Sequence, residues 1–244
     1  MTAIAEWRSN LPALTTDQMR EVDRVMMQDI GITLMQMMEN AGRHLATLAR
    51  ERLGGNVEKK RVIVLAGRGN NGGGGMVAAR RLANWDAAVS VILTGPPEEY
   101  RDVPGYQLGI LNNMHVPIFQ AQRNMALRGD VILDALIGYG LRGPPLGMPA
   151  TLIQAANASG VRILALDAPS GLDTTTGTIY DPCIRAEATL TLALPKVGLV
   201  GSAARAVVGE LYVADISVPP SVYAAMGIQV PNLFVGAEIV HVRD

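Results

Sequence analysis

Six short apolar runs recur from Arg61 onward and restrict the possible folds more than any other feature of this chain: 62–66, 88–93, 131–135, 162–166, 189–194 and 211–214. They are nearly continuous in apolar side chains instead of alternating with polar ones, so both faces of each strand must be covered. Helix-length stretches separate the earlier runs, at 76–85, 106–114 and 150–158. Strand and helix in alternation predict an α/β fold, a mostly parallel central sheet between two layers of helices. The last two runs lie closer together, so the sheet is expected to be less regular at that edge.

The segment before Arg61 reads differently. Residues 1–14 are expected as a leader. Thr15 and Gln18 are then spaced as a capping box, which predicts a helix running to about Asp29. Gly31 breaks it, and a second helix resumes at Thr33 and stops at Gly54-Gly55. Six of the twelve methionines fall between Met19 and Met38. Adaptable core filling between the two helices explains them, and a docking face for a second copy is the other reading. No internal repeat or low-complexity linker appears, so one domain over 15–230 is expected, with a tail at 231–244.

Charge and cysteine usage exclude several classes. Twenty-one basic and 22 acidic residues give a net charge of −1, which argues against a nucleic-acid or anionic-membrane footprint. The single Cys183 cannot form an intrachain disulfide and is read as an inert filler, and the three histidines have no paired-ligand spacing. No apolar stretch approaches the ~20 residues of a membrane helix. Residues 1–8 lack the order of a signal peptide, so a cytoplasmic location is expected.

Ligands of parallel sheets bind beyond the carboxyl ends of the strands. The first strand runs into six glycines in nine residues, from Gly67 to Gly75, which predicts an anion-binding turn ahead of the helix at 76–85. Gly67, Gly69 and Gly72 satisfy the dinucleotide fingerprint, but the second strand ends in Leu93-Thr94-Gly95-Pro96 without the acid that would bind a ribose. Asp134 ends the third strand, and Asp167 the fourth, followed by Pro169, Ser170 and Gly171. Two such acids facing one glycine loop form an oxygen-rich site of the kind that holds hard cations. Ser170 lacks the surroundings of a nucleophile. Lys196, after the fifth strand, fits either phosphate neutralisation or an exposed surface position.

Five segments, in this order, resemble the NAD(P)H-hydrate epimerase family, the N-terminal domain of the YjeF proteins. They are Met38-Glu39-Asn40-Ala41-Gly42, Gly69-Asn70-Asn71-Gly72-Gly73, Asp134-Ala135-Leu136-Ile137-Gly138, Asp167 through Asp173, and Pro195-Lys196-Val197-Gly198-Leu199. The resemblance spans roughly 14–219. It implies a Rossmann-like three-layer α/β/α sandwich with two N-terminal helices. It also implies a metabolite-repair isomerase that interconverts the R and S hydrates of NADH and NADPH (NADHX and NADPHX) at C6 of the nicotinamide ring. Carried over, the substrate-binding positions are Asn70, Asn71, Gly72, Gly73, Gly74, Gly138, Tyr139, Gly140, Leu141 and Asp167. The potassium ligands are Asn71, Asp134 and Ser170. Asp167 is the expected acid–base residue and Asp134 the second choice. A homodimer and a separate NAD(P)H-hydrate dehydratase are the implied partners. One position departs from the family's Asn-Asn-Gly-Gly-Asp-Gly loop: Gly74 stands where the acid belongs. Losing that carboxylate removes a charge-assisted hydrogen bond worth about 1.5–3 kcal/mol. It leaves open a changed nucleotide-like substrate or a non-catalytic dimerisation scaffold.

Overall fold

The computed structural model describes residues 4–243. In chain order the elements are β1 (Ala5–Trp7), α1 (Thr16–Arg24), α2 (Leu34–Arg52), β2 (Arg61–Ala66), α3 (Asn70–Ala83), β3 (Ala88–Leu93), α4 (Asp102–Asn113), β4 (Ile118–Gln120) and β5 (Val131–Ala135). There follow α5 (Gly147–Ala158), β6 (Ile163–Leu166), β7 (Ala188–Leu192), α6 (Val197–Val200), α7 (Arg205–Val208), β8 (Glu210–Ala214), α8 (Pro220–Ala225) and β9 (Ile239–Val242). The nine strands form one sheet in the order β1-β9-β8-β7-β6-β5-β2-β3-β4. Every neighbouring pair is parallel except β8 with β9.

The two-residue period of each strand divides the sheet into two buried faces. Val62, Val64 and Leu133 face α2, α3 and α4, packing with Leu45, Leu48, Met76 and Leu111. Ile63, Leu65 and Ile132 face the other way, onto Leu152 and Ile153 of α5. Farther along that second face, Val213 and Val240 pack with Val22 and Met26 at the α1 end of the chain. The three-layer α/β/α sandwich expected from the sequence is the architecture observed.

Thr15 caps α1 as a capping box, its hydroxyl accepting from the Gln18 N–H while the Gln18 side chain accepts from the Thr15 N–H. A cap of this kind stabilises a helix by about 1 kcal/mol. A π-helical stretch, Val25–Ile30, carries α1 on to Gly31, whose φ of +85° ends it.

Two expectations are corrected. The segments taken as leader and tail both enter the sheet. β1 pairs with β9, and Leu14 is wholly buried, its N–H donating to Pro195 O at 2.8 Å. Residues 1–3 of the leader and Asp244 of the tail lie outside the described residues. Helix α3 begins at Asn70, not Met76, so most of the glycine run is helical. Glycine is a poor helix former, and packing overrides that preference here. A Cβ on Gly72 would stand 1.8 Å from Gly67 O. One on Gly42 of α2 would stand 2.4 Å from the Val77 Cβ and 2.5 Å from Gly74 O. These glycines let two helices and a turn approach backbone to backbone. Among the described residues no helix is long and apolar enough to cross a membrane.

Candidate functional site

The chain leaves β2 toward β3 on one side and β5 toward β6 on the other, so the strand order reverses between β2 and β5. A cleft of about 530 Å³ opens at the carboxyl ends of these strands, the size and place of a small-molecule site in such folds. Asn70, Asn71 and Gly74 from the start of α3, Gly138, Tyr139 and Gly140 from the loop after β5, and Asp167 after β6 all line it. The remaining expected positions do not. Gly72 packs on the Gly67 backbone, Gly73 lies against the Met38 thioether, Leu141 is outside the lining, and Asp134 and Ser170 are buried beneath it. A Cβ at Gly74 would meet only the Leu166 Cδ2, at 2.8 Å, so the position faces a flexible side-chain tip and open cleft.

Asp167 is 3% exposed and holds a left-handed backbone, φ +67°. Strain of this kind concentrates where a side chain must be aimed. Its Oδ1 lies 2.5 Å from Lys196 Nζ, and its Oδ2 accepts from the Tyr139 N–H at 2.8 Å. Lys196 is fully buried, which corrects both the surface and the phosphate readings. Its ammonium also donates to Thr191 Oγ1 at 3.1 Å and to Leu192 O at 2.9 Å. All three donors are thereby used, the condition under which a buried ion pair is tolerated. A Cβ on Gly138 would lie 2.9 Å from Asp167 Oδ2 and 3.3 Å from Asn71 Oδ1, so only a glycine leaves this corner open.

Asp134 is 0% exposed. Its Oδ2 accepts from the Ser170 N–H at 2.8 Å, and its Oδ1 from the Ser170 hydroxyl at 2.7 Å and the Leu136 N–H at 3.2 Å. Burial pushes its carboxyl up to about 6, against the pull of those Ser170 and Leu136 bonds. Among the described residues no basic side chain is bonded to it. Asn71 is anchored by its Nδ2 on Leu166 O at 3.2 Å. One carboxylate with the neutral oxygens of Asn71 and Ser170 is a low-charge, oxygen-only donor set, which fits a monovalent cation. Among the described residues no three His, Cys, Asp or Glu side chains gather into a metal-binding group.

Cys183 is buried, and burial together with the Asp134 charge pushes its thiol up to about 12, in keeping with an inert filler. The methionines divide. Met19, Met37 and Met38 line the cleft, Met26 is buried and Met27 is exposed.

Asp23 escaped the sequence reading. It lines the cleft from α1, and the Tyr139 hydroxyl donates to its Oδ2. Burial, then the adjoining Asp23 charge, hold that phenol well above its usual range. A sequence signal existed: an acid at the edge of the stripe Thr16, Met19, Val22, the buried side of α1.

The family described as YjeF-related protein N-terminus matches residues 34–198. An NAD(P)H-hydrate epimerase of Dehalogenimonas lykanthroporepellens is 43% identical over 216 residues, covering 88% of this chain and 86% of that protein. One from Lentilactobacillus buchneri is 36% identical over 84% of this chain and 94% of its own length. A bifunctional NAD(P)H-hydrate repair enzyme Nnr of Moorella thermoacetica is 35% identical over 86% of this chain but only 41% of that protein. The crystal structure of yeast ynu0 covers 95% of this chain and 100% of that one, with a TM-score of 0.81 at 24% identity, a likeness of fold.

Proposed function

The chain belongs to the YjeF-related N-terminal family, and from that premise we propose that it epimerises the R and S hydrates of NADH and NADPH at C6 of the nicotinamide ring. The observation that carries the reading is the Asp167–Lys196 ion pair, buried at the floor of a cleft at the topological switch point. The hydrate carries its hydroxyl on the carbon beside the ring nitrogen. Protonating that hydroxyl lets it leave as water, and the nitrogen lone pair closes a C6–N1 iminium. Water returning to the other face, with loss of one proton, gives the other epimer. Asp167, held by Lys196 and the Tyr139 N–H, is an acid–base group for this exchange. The thioethers of Met37 and Met38 and the side chains of Leu136 and Leu166 provide apolar walls that limit stray water at the cation.

Asn71, Asp134 and Ser170 would hold a potassium ion, which when bound supplies fixed positive charge beneath the cleft. The 43% identity to a protein named as an epimerase favours catalysis over a scaffold role. The bifunctional relatives join a segment like this one to further sequence under the name of a repair enzyme, which supports a dehydratase as the companion activity. A cytoplasmic homodimer completes the reading.

The test is turnover of (R)-NADHX and (R)-NADPHX coupled to excess S-specific dehydratase, in potassium and in sodium. The expected result is depletion faster than the spontaneous rate, greater in potassium and abolished by Asp167→Asn. No acceleration at high enzyme concentration would sink the reading.

A further inference from the structure

Tyr139 bridges two carboxyl groups. Its backbone N–H donates to Asp167 Oδ2 at 2.8 Å, and its phenol donates to Asp23 Oδ2. Both acids line the same cleft, Asp167 from the strand ends and Asp23 from α1. They stand one tyrosine length apart. Among the described residues the Asp23 side chain has no hydrogen bond other than the one from Tyr139.

The two acids have unlike surroundings. Asp167 is ion-paired with Lys196. Among the described residues Asp23 has no basic side chain bonded to it. Burial raises its carboxyl above the usual range, the Asp167 charge adds to this, and the Tyr139 bond and the more distant Lys196 oppose it. Carboxyl pairs whose environments differ in this way divide into acid and base.

Epimerisation poses a problem that one acid cannot solve alone. The hydroxyl leaves one face of a flat cation and water arrives at the other, and a side chain reaches only the face it touches. Paired carboxyl groups flanking a planar cation solve the same problem in glycoside hydrolysis. We propose that Asp23 is the second acid–base residue of the cleft, serving the face of the nicotinamide ring opposite the one served by Asp167. The inference rests on the epimerase reading. In one direction Asp23 gives its proton to the C6 hydroxyl. The C6–O bond breaks with its electron pair on the departing water, and the nitrogen lone pair forms the C6–N1 double bond. A water on the Asp167 face then bonds to C6, the double-bond pair returns to nitrogen, and the water's proton passes to the Asp167 carboxylate. The reverse reaction uses the same groups with roles exchanged. Proton exchange with solvent resets the pair.

The charged and titratable groups around Asp23 are Tyr139, Asp167 and Lys196, with Arg20 on its own helix and Arg142 on the cleft wall. The test uses the full chain with (R)-NADHX and S-specific dehydratase. Asp23→Asn is expected to lower kcat by about a hundredfold or more, with KM and the thermal midpoint nearly unchanged. It should also erase the alkaline limb of the kcat profile. Tyr139→Phe removes the bond that lowers Asp23, so that limb is expected to move to higher pH. An Asp23→Asn enzyme within twofold of wild type overturns the inference and leaves the epimerase reading standing, provided Asp167→Asn is dead. A wild-type enzyme without turnover overturns both. Should Asp23→Asn fail to fold, Tyr139→Phe decides, and an unmoved limb overturns the inference.

Discussion

Lys196 shows how far a single residue's role depends on what folding brings around it. Beside Pro195 and ahead of a short helix, its sequence surroundings fit a surface lysine equally well. Its burial is created by β6, β7 and the docking of Leu14, segments well separated along the chain. Stability and activity should therefore separate cleanly here. Lys196→Met leaves Asp167 buried without its counter-charge and is expected to destabilise the fold by about 3–5 kcal/mol. Adding Asp167→Asn should recover most of that loss in urea unfolding while activity stays absent. A double variant as unstable as the single one would show that the ion pair is not the cause. Asp134 gives a pH prediction. Its carboxyl is raised from 3.8 to about 6, so between those values the folded chain keeps a proton that the unfolded chain releases. Its contribution is full below pH 4 and is lost as pH rises through 6, on the order of 3 kcal/mol in all. In potassium-free buffer Asp134→Asn should flatten that slope, and an unchanged slope would assign it elsewhere.

Among the elements, those built on continuous apolar runs were legible. The six predicted strands appear within two residues of their expected ends, and the Thr15 cap and the breaks at Gly31 and Gly54 stand as read. β1, β4 and β9 are three or four residues long, with β1 and β4 at the two edges and β9 next to one of them, so they carry too little pattern to stand out. The start of α3 was hidden for another reason. Its glycines oppose a helix locally, and only contact with α2 and the sheet requires them. Asp134, Asp167 and Ser170 were legible because strand ends point to a site, whereas Asp23 sits on a helix, far along the chain from any strand end that forms the cleft. Gly42→Ala tests the close helix contact. Its new methyl would be forced against Val77 and the Gly74 carbonyl, and a loss of about 1–3 kcal/mol is expected. A thermal midpoint equal to wild type would mean that α2 can retreat freely.

For the whole molecule, one edge of the sheet is built by the first and last strands of the described chain. β9 covers the β8 edge and β1 covers β9, with His241 stacked on Tyr212 at 4.3 Å. Ending the chain at Val235 removes the buried Ile239 and Val240, worth roughly 1.5–3 kcal/mol each, and bares an unpaired strand. A lower urea midpoint with concentration-dependent light scattering is expected, and an unaltered monodisperse protein would refute it. The packing of α3 has a further consequence. Because α3 meets α2 and the sheet through glycine backbone, those contacts admit no added side chain, and Gly138 cannot take one without crowding Asp167 and Asn71. Variation in what this enzyme accepts is therefore channelled to the rim, to Arg20 and Arg142, where one substitution can redraw the pocket without disturbing the scaffold beneath it.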